Sequence, residues 1–121
     1  KPIARPVTVA SESSDPTTVN TLRTRLALTQ SQFARLLAVS VRSLATLESG
    51  TAPTEPVFRR LTELERLISG LSEVIKKESL GKWLKTSNPA FDGSKPLEVI
   101  ERGESDRIWE MIYFLRSGVP S

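Results

Sequence analysis

The sequence contains no cysteine and no histidine, and only one methionine and one tyrosine among its 121 residues. Without thiols or imidazoles there can be no disulfide, no Cys/His zinc cluster, no cysteine nucleophile and no Ser-His-Asp triad. Carboxylates, lysines, hydroxyls and a single phenol remain, and the sequence gathers none of them into a pocket-like cluster. Neither an enzyme nor a bound cofactor or metal is expected. Long apolar runs are missing too. None approaches the ~20 residues of a membrane span, and no signal-peptide core is visible. The expected setting is the cytoplasm, away from membranes. Strand-like alternation is also lacking, so the expected fold class is all-α.

Charge is present but uneven. The net charge is +3. Residues 1–60 carry eight basic and four acidic side chains, whereas residues 61–121 carry nine basic and ten acidic ones. The whole positive excess therefore lies in the N-terminal half, where a polyanion would bind.

The chain divides into three parts. Residues 1–18 are rich in Pro, Ser and Thr without helical periodicity and are expected to form a flexible arm. Residues 19–69 open with a helix from about Val19 to Ala27, with Val19, Leu22 and Leu26 on one face. A second helix follows Thr29, and Thr29-x-x-Gln32 has the form of a capping box. A third follows Ser40 as N-cap and stops at Gly50. With only Ala38 and Val39 between the second helix and Ser40, the two must turn sharply, as in a helix-turn-helix. Beyond Pro53 and Pro56, the residues Val57, Leu61, Leu64, Ile68, Leu71 and Ile75 recur at spacings of four and three. They fit either one helix from Pro56 to Glu78, ~35 Å long, or two helices broken at Ser69-Gly70.

Residues 70–121 form a second helical domain. From Trp83, the turn signals Asn88-Pro89 and Asp92-Gly93 flank Phe91 in an ordered loop. A short helix from Pro96 to Ile100, capped by Ser94, precedes a last helix from Ser105 to Arg116. On that last helix Ile108, Trp109, Met111, Ile112, Tyr113, Leu115 and Arg116 share an arc of about 200°, twice what a surface helix needs. Ile108, Met111, Ile112 and Leu115 suffice for packing. Trp109, Tyr113 and Arg116 then form a second stripe of the residue types common at binding hot spots. A partner protein and a homodimer seam fit this stripe equally.

The third helix offers a face for DNA. Opposite Leu44 and Leu47 it carries small and polar side chains around one guanidinium, suited to a major groove about 12 Å wide. Arg42 fits a guanine edge, Val41 or Ala45 a thymine methyl, and Thr46 either kind of base. Gln30 opens the second helix, where backbone N–H groups and its own amide suit a phosphate.

Leu28-Thr29-Gln30-Ser31-Gln32-Phe33-Ala34-Arg35-Leu36-Leu37-Ala38-Val39-Ser40, with Leu44, Leu47, Glu48 and Gly50, resembles the Xre/Cro-type helix-turn-helix of lambda-repressor-like regulators. The resemblance spans about Val19 to Leu67. It implies that Gln30 contacts phosphate, that Val41, Arg42 and Thr46 lie at base-contacting positions, and that Ser40 and Ser43 add backbone contacts. It also implies a partly buried ion pair between Arg23 and Glu48. Ala38 departs from the glycine usual at the turn. Dimers of this motif read half-sites ~34 Å apart on operator double-stranded DNA, so a homodimer is expected.

Trp83-Leu84, Asn88-Pro89-Ala90-Phe91-Asp92-Gly93, Pro96-Leu97-Glu98, Ile100 and Gly103 resemble the toxin-binding domain of Xre/MbcA/ParS antitoxins. Such antitoxins pair with RES-domain toxins that degrade NAD. The resemblance implies a protein that blocks the toxin's active site with its C-terminal domain and represses its own operon with its helix-turn-helix. Candidate toxin contacts are Trp109, Ile112, Tyr113 and Arg116, within a larger toxin–antitoxin hetero-oligomer. The alternative is a stand-alone Xre-family dimeric regulator without a toxin.

Overall fold

A computed structural model of the chain describes residues 16–118. Seven α-helices and one 3-10 turn make up this span, with no strand among the described residues. The fold is all-α. The expected arm lies mostly outside the described residues, but its last three positions are helical, because α1 spans Pro16–Arg25. A proline suits the first turn, where its ring presets φ and its missing N–H costs nothing.

The contacts divide the chain into two compact units that meet within one helix, between Glu63 and Leu64. The junction expected after residue 69 lies further along the same helix.

The first unit is built from α1, α2 (Gln30–Leu37), α3 (Val41–Glu48) and the start of α4 (Glu55–Leu71). Thr29 caps α2 reciprocally: its Oγ1 accepts from the Gln32 backbone N–H at 3.0 Å, and Gln32 Oε1 accepts from the Thr29 backbone N–H at 2.9 Å. Ser40 caps α3, its Oγ accepting from the Ser43 backbone N–H at 3.0 Å. Val19, Leu22, Leu26, Leu28, Phe33, Leu37, Leu44 and Leu47 fill the core.

The two short turns of this unit share a geometry. Ala27 and Ala38 have φ of 56° and 59°, in the left-handed region. Leu28 N–H donates to Arg23 O at 3.1 Å, and Val39 N–H donates to Ala34 O at 2.9 Å. These are the six-to-one bonds of a Schellman cap, a conformation that glycine adopts with less strain than alanine.

The second unit continues from the end of α4 through α5 (Lys77–Leu84), a 3-10 turn (Pro89–Phe91), α6 (Pro96–Glu101) and α7 (Ser105–Ser117). Leu64, Ile68, Leu71, Leu80, Leu84, Phe91, Leu97, Val99, Ile108 and Ile112 form its core. Neither expected form of the long helix is found. The helix passes through Ser69-Gly70 without a break and ends one residue later, at Leu71. Ile75 falls in the following turn, its N–H donating to Leu71 O at 2.8 Å.

Two further details depart from expectation. Trp83 belongs to the last turn of α5 rather than to a loop, and meets the Phe91 ring edge-on with centroids 6.3 Å apart. Lys95, not Ser94, is the N-cap of α6, where the Glu98 carboxylate accepts its backbone N–H at 2.9 Å. Ser94 instead accepts from Arg102 Nη2 at 3.3 Å. The Asn88–Ser94 turn closes on itself, Asn88 Oδ1 accepting from Ala90 N–H at 2.9 Å and Asn88 N–H donating to Ser94 O at 3.0 Å.

Candidate nucleic-acid and partner surfaces

One carboxylate joins the three helices of the first unit. Glu48, the last residue of α3, accepts from Arg23 Nε of α1 at 2.6 Å and from Gln30 Nε2 of α2 at 2.9 Å. Arg23 also donates to Leu28 O at 3.2 Å, so the same guanidinium holds the turn between α1 and α2. Burial by itself pushes the Glu48 carboxyl up. The hydrogen bonds from Arg23 and Gln30, with the Arg23 charge, outweigh burial and hold it below its ordinary value.

A carboxyl with a depressed folded pKa adds stability that is complete above its unfolded pKa, near 4.5, and is lost as pH falls through the folded value. Glu48→Gln is therefore expected to cost about 2 kcal/mol at neutral pH, since it leaves the Arg23 guanidinium without its charge partner. It should also flatten the loss of stability between about pH 5 and pH 3. Urea unfolding of both proteins across that range tests this. Parallel curves would remove Glu48 from the account.

Along the outer face of α3, Val41, Arg42, Ser43, Ala45, Thr46 and Ser49 are all exposed, while Leu44 and Leu47 are buried. Val41 is 45% exposed. The hydroxyls point their protons inward. Thr46 Oγ1 donates to Ser43 O at 2.7 Å, Ser49 Oγ to Thr46 O at 3.0 Å, and Ser40 Oγ to Ser43 Oγ at 3.0 Å. Each of these oxygens keeps acceptor capacity, which matches amino donors on base edges. Arg42 has no ion-pair partner among the described residues, leaving its donors to an external acceptor. Gln30 is half-buried, and its amide nitrogen is turned to Glu48. Sequence reading missed that contact, which links residues on different helices.

The second unit places the candidate toxin contacts unevenly. Ile112 is fully buried and points into the core, out of reach of a partner. Trp109 is half-buried against α4, at the one helical glycine there. A Cβ on Gly70 would lie 2.9 Å from Trp109 Cζ3 and 3.0 Å from Cη2. Tyr113 is 62% exposed, its ring 6.1 Å from that of Trp109. Arg116 forms an ion pair with Glu73, Nε lying 2.9 Å from Oε1, and its guanidinium carbon lies 6.0 Å from the Tyr113 ring centre.

Two further apolar side chains near the end of α7 are exposed. Phe114 and Leu115 are 51% and 52% exposed. Leu115, expected to pack inward, does not reach the core. Only Ile108 and Ile112 of α7, one turn apart, are buried, and the last turn extends past them. Elsewhere Arg107 bridges Glu104 at 3.2 Å and Asp92 at 3.1 Å, with its guanidinium 5.7 Å from the Phe91 ring centre. This exposed network braces the Asn88–Ser94 turn against α7. Hydrogen bonds from Arg107 and Arg102 hold the Glu104 carboxyl below its ordinary value.

Among the described residues, no group of three or more acidic side chains is placed to hold a metal ion, and no helix is long and apolar enough to cross a membrane. The fold and its exposed faces define a class: a small all-α protein that pairs a helix-turn-helix unit with a second helical unit. No protein-family model matches the chain. The mycobacterial cidal antitoxins MbcA of Mycobacterium bovis and Mycobacterium tuberculosis are each 28% identical to it over 96 residues, 78% of this chain and 85% of theirs. A chain in the crystal structure of the M. tuberculosis MbcT–MbcA toxin–antitoxin complex matches with a TM-score of 0.69 and 27% identity, over 88% of this chain and 96% of that one. In sequence and fold, then, the chain is similar to the MbcA antitoxins.

Proposed function

We propose that the chain neutralises a RES-domain, NAD-degrading toxin by covering its active site with the C-terminal unit. We further propose that it binds operator DNA through α2 and α3, as a homodimer, to repress its own operon in the cytoplasm. The observation that carries this reading is the match, across most of both chains, to a chain in the MbcT–MbcA toxin–antitoxin complex. The exposed end of α7 supports the first activity, with Tyr113 and Arg116 as accessible contacts and Trp109 behind them. The exposed face of α3 supports the second. There Val41, Arg42 and Thr46 are the candidate base contacts, with Ser40, Ser43 and Gln30 as candidate backbone contacts.

The toxin arm is tested by purifying the chain with the RES-domain protein encoded beside it and measuring NAD loss. Added antitoxin should stop the loss; undiminished NAD consumption would overturn the reading. For the DNA arm, Arg42→Ala is expected to weaken operator binding by about 2 kcal/mol, roughly thirtyfold, if the guanidinium makes a two-pronged base contact. Gel-shift titration with the upstream operator measures this, and an unchanged midpoint removes Arg42 from the interface. Operator binding without any toxin partner would instead favour the stand-alone regulator.

A further inference from the structure

The end of α7 is tied back to the end of α4 by a closed series of contacts within the second unit. Gly70 seats the Trp109 indole, and Trp109 packs on Tyr113. Tyr113 faces the Arg116 guanidinium, which forms an ion pair with Glu73, two residues past the end of α4. The ion pair engages the Nε side of Arg116. The two terminal nitrogens have no partner among the described residues.

We propose that Glu73 is a positioning residue for partner recognition, fixing Arg116 so that the free edge of its guanidinium is presented to a carboxylate on the toxin. This rests on the reading that the Tyr113–Arg116 surface meets the toxin. The chemistry follows from the guanidinium itself. A planar guanidinium paired on its Nε side and lying 6.0 Å from an aromatic ring samples fewer orientations than a free one. Its remaining edge matches a planar, two-oxygen acceptor. A long side chain ordered before binding loses less entropy on binding, so the benefit appears as slower dissociation. Lysine, a point charge without a fork, cannot substitute.

The experiment measures association and dissociation of the full-length chain with an inactive variant of the RES-domain protein encoded beside it. Glu73→Gln is expected to weaken the complex about fivefold to tenfold, mainly through faster dissociation, and Glu73→Asp to recover most of the loss. Arg116→Lys should lose nearly as much as Arg116→Ala. In an Arg116→Ala background, Glu73→Gln should add nothing, because Glu73 acts through Arg116. Both positions are exposed, and thermal unfolding of the free variants checks that they stay folded. If Arg116→Ala weakens binding while Glu73→Gln does not, or if the two effects simply add, the positioning role is overturned and the toxin-contact reading stands. If Arg116→Ala itself leaves the complex unchanged, both are overturned.

Discussion

Tyr113→Asp is expected to weaken the toxin complex by about 3 kcal/mol, more than a hundredfold, while the free chain unfolds at nearly its original temperature. The two effects separate because Tyr113 is 62% exposed and contributes little to the core. Its ring lies against Trp109 on one side and near Arg116 on the other, so it presents a large, rigid surface already ordered before binding. Aspartate removes that area. It also offers Arg116 a new carboxylate, which would turn the guanidinium away from an external acceptor. Titration calorimetry against the toxin, with thermal unfolding of the free variant, measures both quantities. Intact binding by a folded Tyr113→Asp variant would place the toxin surface elsewhere.

Gly70→Val should destabilise the second unit by about 3 kcal/mol. Glycine inside a helix ordinarily costs about 1 kcal/mol relative to alanine, so a substitution there would normally help. Here a bare Cβ already meets Trp109 at 2.9 Å and Ile112 Cδ1 at 3.4 Å. The obstructing atoms belong to a rigid indole wedged between α4 and α7, with little room to yield. Valine adds two more methyl groups in the same space, and relief requires moving Trp109 off its seat. Alanine should fall between valine and the parent, because its gain in helix propensity offsets part of the clash. Urea unfolding of the two variants tests the ordering. A valine variant as stable as the parent would mean that Trp109 has somewhere else to go.

The parts of the fold that were legible in the sequence are those set by neighbours along the chain. Thr29 and Gln32 cap each other three residues apart, and Ser40 caps α3 in the same local way. The turn position at Ala38 is marked by the resemblance to the Xre/Cro-type motif, where a glycine is usual, and its φ is 59°. What could not be read depends on contacts between distant elements. Gly70 reads in isolation as a candidate helix break, and only the approach of Trp109 from α7 explains why glycine sits inside a continuous helix. Gln30 reads as a free phosphate ligand until Glu48 is brought beside it. On α7 the periodicity gave the direction of the apolar arc but not how far the core extends along it. Ile112 therefore turned out to be interior, while Leu115 lies at the surface. Of the candidate residues on α3, Val41, Arg42, Ser43 and Thr46 are all exposed, whereas Ile112 of the α7 set is interior.

The paired alanine turns have a consequence for the lifetime of the protein. At Ala27 and Ala38 the left-handed backbone costs somewhat more than the extra flexibility glycine would add to the unfolded chain, about 0.7 kcal/mol at each site. Together that is a factor of about ten in the fraction of molecules unfolded at any moment. Proteases that degrade the opened chain draw on that fraction when reclosing is fast. Two methyl groups at two turns thus raise the fraction open to proteolysis, without touching either of the proposed binding surfaces.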